Sequence, residues 1–122
     1  MMLLDSNIVI GYLNGETEII KALNALKTDH QALFISSITI AEALSFSSVT
    51  SDKQLIIEQF LDGFIVIQPD KEIAKIAASL RREHGLDIPD AFIAATAMVH
   101  HIPLATRDKK IQAISNVIFA NI

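Results

Sequence analysis

The sequence predicts an α/β fold, in the form of a three-layer sandwich with helices on both faces of a central, mainly parallel sheet. The first observation is that short apolar runs alternate along the chain with longer segments of helical periodicity. The second is that runs such as Phe64–Ile67 are apolar at every position, as strands buried on both faces are. The third is a mean hydropathy of +0.40, which fits strands covered on both faces, an apolar patch covered by a partner, or both.

Local patterns place the individual elements. We expect strands at Met2–Leu4, Leu33–Ile35, Phe64–Ile67, Pro103–Ala105 and Val117–Ala120. We expect helices from Ser6 to Leu13, over Glu16–Lys27, from Ser37, from Ser51, from Asp70 to Gly85, and over Ala91–His100. Ser or Asp at a helix start accepts a hydrogen bond from a free backbone N–H, and Gly after the last turn tolerates the left-handed conformation. Strands separated by helices imply parallel pairing.

Length and composition limit the class of protein. The 122 residues fit a single domain, residues 1–122, and a chain that is 51% hydrophobic and 20% charged is not disordered. The absence of cysteine excludes disulfides and Cys-based zinc sites. No signal peptide is visible, and the longest nearly apolar stretch, Ala91–Val99, is too short to cross a bilayer, so we expect a cytoplasmic protein without membrane contact. A net charge of −4 disfavours passive binding of nucleic acid unless divalent cations reverse the local sign.

Four acidic residues occupy positions that a folded sheet would bring together. Asp5 follows the first predicted strand directly, and Glu42 lies in the helix after the second. Asp108 follows the strand that ends near Thr106, and Asp90 stands at the start of a helix that leads to the same edge. Ligands bind beyond the carboxyl ends of the strands in open α/β sheets, so these carboxylates are candidate functional groups.

A divalent cation would explain why a protein gathers such charges. Like charges a few ångströms apart raise one another's pKa and destabilise the fold, and a bound cation removes that cost. Mg²⁺ prefers oxygen ligands and retains several waters, and Mn²⁺ accepts the same ligand set. Such a centre activates water and shields a phosphodiester during in-line attack, which requires no covalent nucleophile.

Each acid also has a purely structural interpretation. Asp5 is as well placed to cap the first helix, and Asp90 in a first helical turn favours the helix dipole. Asp108 lies among Arg107, Lys109 and Lys110 and is equally consistent with a solvated loop charge. Glu42 is harder to explain in this way, because its neighbours on the helix are apolar. An acid on such a helix face is expected to be buried, and buried acids are usually paired or ligated. The joint placement of the four residues therefore carries the functional interpretation.

Four strings in this order resemble the PIN-domain family, and especially the VapC-type toxins of toxin–antitoxin pairs. They are Leu3-Leu4-Asp5-Ser6-Asn7, Ile38-Thr39-Ile40-Ala41-Glu42, Pro89-Asp90-Ala91-Phe92-Ile93-Ala94-Ala95-Thr96-Ala97 and Leu104-Ala105-Thr106-Arg107-Asp108. The resemblance runs from the first residues to Asp108. It implies a single PIN-like nuclease domain, Mg²⁺- or Mn²⁺-dependent RNA cleavage, a homodimer and a protein antitoxin that blocks the site.

The resemblance also assigns roles to individual residues. Asp5, Glu42, Asp90 and Asp108 match the family's acidic quartet, which is both metal-binding and catalytic. Asn7 and Thr106 match supporting polar positions, and Ser6 stands where Thr is common. Lys109 and Lys110 stand where many relatives carry a further acid, and this departure disfavours a full second metal site. Arg107, Lys109 and Lys110 flank a predicted catalytic acid and are candidates for RNA binding. Asp87 is either an outer ligand or, more simply, a helix cap.

Other functions remain open on the sequence. A haloacid-dehalogenase-like phosphatase needs a second Asp two residues after the first, where this chain has Asn7. A receiver-type signalling domain needs paired acids after the first strand and a phospho-acceptor Asp after a middle strand, where this chain has Gln68-Pro69. A non-catalytic or RNA-processing PIN-like module retains the same fold and is disfavoured only by the intact quartet. For the homodimer, the segments Ser51–Asp62 and Asp70–His84 are the candidate contact helices.

Overall fold

Four parallel strands form the centre of the structure, a computed structural model that describes all 122 residues. The strands are β1 (Met2–Leu4), β2 (Leu33–Ser36), β3 (Ile65–Ile67) and β4 (Leu104–Ala105). The helices are α1 (Ser6–Leu13), α2 (Thr17–Thr28), α3 (Ser37–Leu44), α4 (Ser51–Leu61), α5 (Lys71–His84), α6 (Ile88–His100) and α7 (Lys109–Gln112). The predicted α/β class and parallel sheet are confirmed.

The order of the strands creates a natural ligand-binding edge. The sheet runs β3-β2-β1-β4, so the order reverses between β1 and β4. β1 pairs with β2 through Met2 and Leu33, and with β4 through Leu4 and Ala105. Because all strands are parallel, their carboxyl ends lie at one edge of the sheet. A reversal of strand order opens a crevice at that edge.

The alternating side chains of β1 divide the core into two layers. Leu3 packs into a cluster with residues of α5, α6 and α7 on one face of the sheet. Met2 and Leu4 pack into a second cluster with residues of α1, α2 and the loop after α4 on the other face. Leu3 and Leu4 are both fully buried, and burying one leucine side chain contributes roughly 1.5–3 kcal/mol. The core thus fixes β1 rigidly just before the first acid.

α1 begins at Ser6 as predicted, and its cap is Asp5, which has the extended backbone of an N-cap and whose side chain accepts from the Ser6 N–H. Two helix starts differ from the prediction. α2 begins at Thr17 instead of Glu16, because Glu16 occupies the N-cap position. α6 begins at Ile88 instead of Ala91, since Asp87 caps it and Pro89 occupies the first turn, where no N–H donor is needed. The predicted helix ends at Leu13 and before Gly85 are confirmed, and positive φ angles of 80° at Gly15 and 67° at Gly85 follow these two helices.

The predicted last strand, Val117–Ala120, is wrong. The structure has only an isolated parallel bridge between Leu104 and Phe119, in which the Leu104 N–H donates to the Ile118 carbonyl and the Leu104 carbonyl accepts from the Ala120 N–H. β4 spans two residues, so it offers little length for pairing, and Ile118 is 65% exposed and adds no burial to hold a longer strand. None of the seven helices has both the length and the apolar character that crossing a bilayer requires.

Candidate active site

The pairing of β1 with β4 places Asp5 beside Thr106. Asp5 follows β1 and donates its backbone N–H to the carbonyl of Ala105 over 2.9 Å. The Thr106 hydroxyl donates to Asp5 Oδ2 over 2.6 Å, and the Ser6 N–H donates to Asp5 Oδ1 over 2.7 Å. Asp5 is 2% exposed. Both oxygens of this carboxylate are therefore fixed by donors before any ligand binds.

Thr106 also connects Asp5 to Asp108. The Thr106 hydroxyl oxygen accepts from the Asp108 N–H over 3.0 Å, so one side chain holds both acidic positions. Asp108 caps the short helix α7, because its Oδ1 accepts from the N–H groups of Lys110 and Ile111. Asp108 is half-buried in this arrangement. The solvated-loop interpretation of Asp108 is thus replaced by a capping position at the edge of the sheet.

Glu42 reaches the site from α3, where Ser6 orients it. The Ser6 hydroxyl donates to Glu42 Oε1 over 2.7 Å and lies 2.8 Å from the hydroxyl of Thr39, one turn before Glu42. Thr39 and Ser6 are buried, and α1 packs against α3. The hydroxyl at position 6 therefore has a clear structural use, which is to bridge α1 to the acid on α3.

Asp90 enters from the first turn of α6, and Asp87 caps that turn. Asp87 Oδ1 accepts from the Asp90 N–H over 3.0 Å, and Asp87 itself does not line the pocket described below. The capping interpretation of Asp87 is confirmed. With the α6 N-terminus fixed in this way, the Asp90 side chain lies among the other acids.

One polar pocket of about 420 Å³ contains all four predicted acids. Its lining is almost entirely polar, and Ile10 is its one large apolar contributor. The residues that line it are Asp5, Ser6, Asn7, Ile10, Gly11, Asn14, Glu16, Glu42, Asp90, Arg107 and Asp108. Four separated segments of the chain thus bring their carboxylates to one surface depression beyond the carboxyl ends of β1 and β4.

The acids perturb one another electrostatically. Burial raises the pKa of Asp5 above its ordinary 3.8, and the charges of Asp108 and Glu42 raise it further, against the lowering effect of its hydrogen bonds. Burial also raises the pKa of Asp90 to about 7, with the charges of Asp87, Asp5 and Asp108 adding to the effect. The carboxylates in the pocket therefore repel one another, and a bound cation would reduce that repulsion.

The donor set fits a hard divalent cation. Asn7 lines the acidic pocket, and its buried Oδ1 has no hydrogen-bond partner, so a neutral oxygen without a partner lies beside the acids. No three acidic or histidine side chains are close enough to form a complete metal-binding group as they stand. Mg²⁺ does not require one, because it commonly takes one or two carboxylates and completes its shell with water.

The predicted basic residues separate into two groups. Arg107 lines the pocket and pairs with Glu16, its Nη2 lying 3.0 Å from Glu16 Oε2. Lys109 and Lys110 are exposed on α7 and do not line the pocket. The sequence prediction missed Glu16, which lies 91 residues from Arg107 in the chain. Its position at the turn after Gly15 gave no signal of a role in the site.

Comparisons with known proteins agree with this geometry. The model of the PIN domain family matches residues 2–117. A toxin–antitoxin complex from Klebsiella pneumoniae contains a chain with 32% identity and a TM-score of 0.82, and the match covers 97% of this chain and 96% of that one. FitAcB from Neisseria gonorrhoeae matches with 26% identity and a TM-score of 0.72, over 98% and 97% of the two chains.

A further structure, VapBC2 from Rickettsia felis bound to a DNA fragment from its promoter, has 24% identity and a TM-score of 0.82 over 99% and 98% of the chains. At that identity the likeness shows the fold alone. The comparison with curated proteins returns no match. The family model spans nearly the whole chain, and the four acids lie in one pocket. The chain belongs to the PIN domain family. Its structural neighbours include the Klebsiella toxin–antitoxin complex together with VapBC and FitAB structures, which agrees with the VapC-type resemblance in the sequence.

Proposed function

We propose that this protein is a Mg²⁺- or Mn²⁺-dependent endoribonuclease that acts as the toxin of a toxin–antitoxin pair. The observation that carries the proposal is the pocket in which Asp5, Glu42, Asp90 and Asp108 converge from four segments of the chain. Membership of the PIN domain family and the likeness to the Klebsiella toxin–antitoxin complex support the same conclusion.

The acids divide into roles according to how they are held. Asp5 is fixed through both oxygens and is the natural primary ligand, with Asp90 and Asp108 binding directly or through water. A bound divalent cation would supply an activated water and shield the charge of the phosphodiester. Glu42 has one oxygen held by Ser6 and is placed to bind the cation or to orient the attacking water.

The raised pKa of Asp90 bears on proton transfer. A carboxyl group with a pKa of about 7 takes up or releases a proton near neutral pH, which is the range in which a general acid or base works best. A bound cation would lower this pKa by opposing the negative charges around Asp90. The residue is therefore protonated in part without metal and ionised when it serves as a ligand.

We propose that the partner is a protein antitoxin, because solved neighbours are toxin–antitoxin complexes. An apolar groove of about 390 Å³ adjoins the acidic pocket and shares Ile10 and Asn14 with it. Phe46, which lines the groove, is 52% exposed, so a partner seated there would cover apolar surface and block the acids together. Phe46→Asp should then escape inhibition by the antitoxin while retaining cleavage; a variant that is still inhibited would contradict this docking surface.

We also propose a homodimer. Leu55 on α4 is 61% exposed and does not line the groove assigned to the antitoxin, so this helix has further apolar surface to be covered. The apolar stripe of α5, including Ile73 and Leu80, is already buried inside the chain's own core, so α4 is the better candidate of the two predicted helices. A monomeric mass in solution at tens of micromolar (~10⁻⁵ M) would count against the dimer.

The deciding experiment is cleavage of RNA by the purified protein in EDTA, Mg²⁺ and Mn²⁺, beside Asp5→Asn and the matched control Asp29→Asn. The Asn side chain retains an acceptor for Thr106 but loses the charge that a cation needs. Cleavage should require metal and disappear in Asp5→Asn alone, since Asp29 lies on the surface after α2. Metal binding without cleavage of any RNA would favour a non-catalytic PIN-like module.

A further inference from the structure

The ion pair between Glu16 and Arg107 lies at the wall of the acidic pocket, and Arg107 is the one cationic side chain that lines it. Arg107 Nη2 donates to Glu16 Oε2 over 3.0 Å and Nη1 to Oε1 over 3.4 Å, so the pair is bidentate. Nη2 also donates to the backbone carbonyl of Asn7 over 3.4 Å. The guanidinium therefore joins the α1–α2 turn, the first turn of α1 and the loop after β4.

The Glu16 side chain does not stabilise the start of α2. Glu16 occupies the N-cap position of this helix, but its side chain accepts no hydrogen bond from a backbone N–H of the helix. A Ser or Asp at that position would contribute about 1 kcal/mol to the helix. The Glu16 carboxylate instead reaches Arg107, with 45% of the Glu16 side chain and 50% of the Arg107 side chain still exposed. An exposed pair of this kind contributes only about 0–1 kcal/mol to stability. Stability alone thus gives little reason for the arrangement.

Gly11 leaves the space that the pair needs. A Cβ atom at position 11 would overlap the Glu16 carboxylate and the Ile19 side chain, and would lie 3.2 Å from Arg107 Nη2. The backbone of Gly11 is helical, so its glycine serves close approach and not an unusual conformation. Gly also weakens the helix interior by about 1 kcal/mol relative to Ala. Two positions, 11 and 16, are therefore suboptimal for their helices and favourable for the placement of Arg107.

We propose that Glu16 is a positioning residue, which holds the Arg107 guanidinium at the pocket wall so that a free N–H group contacts a phosphate of the RNA beside the cleaved bond. A guanidinium carries five N–H donors, and the three hydrogen bonds described leave Nε–H and one Nη1–H free. These two groups point to opposite sides of the guanidinium, so one of them is available to a given phosphate. Arg suits this task because its planar fork binds one acceptor group without losing its orientation toward another. The inference rests on the proposed ribonuclease function and deepens it by assigning the residues that recognise the backbone next to the acids.

A role for Glu16 as a simple counter-charge to Arg107 predicts the opposite change in RNA affinity. If Glu16 merely neutralises Arg107, removing Glu16 frees a positive charge and lowers the repulsion of RNA, so binding tightens. If Glu16 positions Arg107, its removal weakens binding in spite of the more favourable net charge. The sign of the change in RNA affinity therefore separates the two views.

The test measures binding of a mixed-sequence, 20-nucleotide single-stranded RNA by fluorescence anisotropy in Ca²⁺, a hard cation that takes the same oxygen ligands, on RNA confirmed intact by gel, with cleavage in Mg²⁺ measured separately. Arg107→Ala should weaken binding about 10- to 100-fold, as expected for loss of charge-assisted hydrogen bonds, and should reduce the salt slope by about 0.7. Glu16→Ala should weaken binding about 3- to 10-fold, and this effect should vanish in the Arg107→Ala background, because Glu16 acts only through Arg107. Gly11→Ala should weaken binding at least as much as Glu16→Ala, since the added methyl displaces the Glu16 carboxylate and also crowds Arg107 Nη2.

Glu18→Ala is the matched control, because it removes the same charge from the first turn of α2 without a hydrogen bond to Arg107. It should leave RNA binding unchanged or slightly tighter. Tighter binding by Glu16→Ala, or equal losses from Glu16→Ala with and without Arg107, would overturn the inference. A wild type that binds RNA and never cleaves it would overturn the nuclease proposal. The losses of RNA affinity in Glu16→Ala and Arg107→Ala would still test the positioning role of Glu16. A wild type that does not bind RNA would overturn both.

Discussion

Asp90 should destabilise the metal-free fold above neutral pH, and Asp90→Asn should therefore make the protein more stable under those conditions. The pKa of Asp90 is raised from 3.8 to about 7, because burial and the neighbouring acids disfavour its charge. A carboxyl whose pKa is higher in the folded than in the unfolded state binds its proton more tightly when folded. The resulting stability is present at low pH, is lost as the pH rises from about 4 to about 7, and is absent above that range.

The size of this effect follows from the two pKa values. The difference between 3.8 and about 7 converts to about 4 kcal/mol at about 1.4 kcal/mol per pH unit. Asp90 is only half-buried, so water screens part of the interaction, and a stabilisation of about 1–2 kcal/mol is the realistic expectation. For a domain of this size that corresponds to a rise in Tm of roughly 4–8 °C.

The assay is urea unfolding of the wild type and Asp90→Asn in EDTA at pH 8 and pH 5. Asn matches the shape of a protonated Asp, so the variant should gain about 1–2 kcal/mol at pH 8 and clearly less at pH 5. Glu72→Gln, an exposed acid on α5 outside the pocket, is the control and should show little change. Added Mg²⁺ should then stabilise the wild type more than the variant. A variant that is no more stable at pH 8, or one whose gain is the same at both pH values, would refute the electrostatic argument.

Three further substitutions test the hydrogen bonds and the core around the site. Thr106→Val removes the donor to Asp5 and should lower the free energy of unfolding by about 1–3 kcal/mol and the metal affinity, measured by calorimetry, about 10- to 100-fold. If Thr106→Ser restores both values, the hydroxyl is the cause. Ser6→Ala releases Glu42 and should reduce kcat about 10-fold or more with metal affinity nearly unchanged, and an unaffected kcat would remove the orienting role. Leu3→Ala empties a fully buried position in β1 and should cost about 2–5 kcal/mol by urea unfolding, a loss that added metal would only partly offset; a cost below about 1 kcal/mol would contradict its central place in the core.

The sequence predicted the sheet well because local composition determines it. Runs such as Met2–Leu4 and Leu33–Ile35 are apolar throughout, as expected of strands covered on both faces, and they form the inner strands β1 and β2. The equally apolar β3 is an edge strand, with Ile65 52% and Val66 41% exposed, so the expected burial on both faces is wrong there. The edge at which the acids lie follows from parallel pairing alone, so the convergence of the quartet could be expected before any coordinates. The prediction of a last strand was wrong because composition alone does not provide a partner. Val117–Ala120 has the composition of a strand, but the neighbouring strand β4 is only two residues long.

Contacts between side chains that are far apart in the sequence could not be predicted in the same way. The Ser6–Glu42 and Glu16–Arg107 contacts join residues 36 and 91 positions apart, and each depends on which rotamer reaches across a pocket. No periodicity records such a contact. Gly11 could have given a signal, because a glycine inside an otherwise regular helix often marks a close approach by another group. Its meaning still required the position of the Glu16 side chain.

The helix N-termini explain how the chain tolerates this concentration of acids without a cation. Asp5, Asp87 and Asp108 cap α1, α6 and α7, and each cap is favourable by itself. The N-terminal ends of α1 and α6 also carry partial positive charge, and Asp90 lies in the first turn of α6. These local interactions offset part of the repulsion but not all of it, as the raised pKa values of Asp5 and Asp90 show. The remaining repulsion is the free energy that binding of a divalent cation would release. The same caps that offset this repulsion therefore leave a part of it for the proposed metal to relieve.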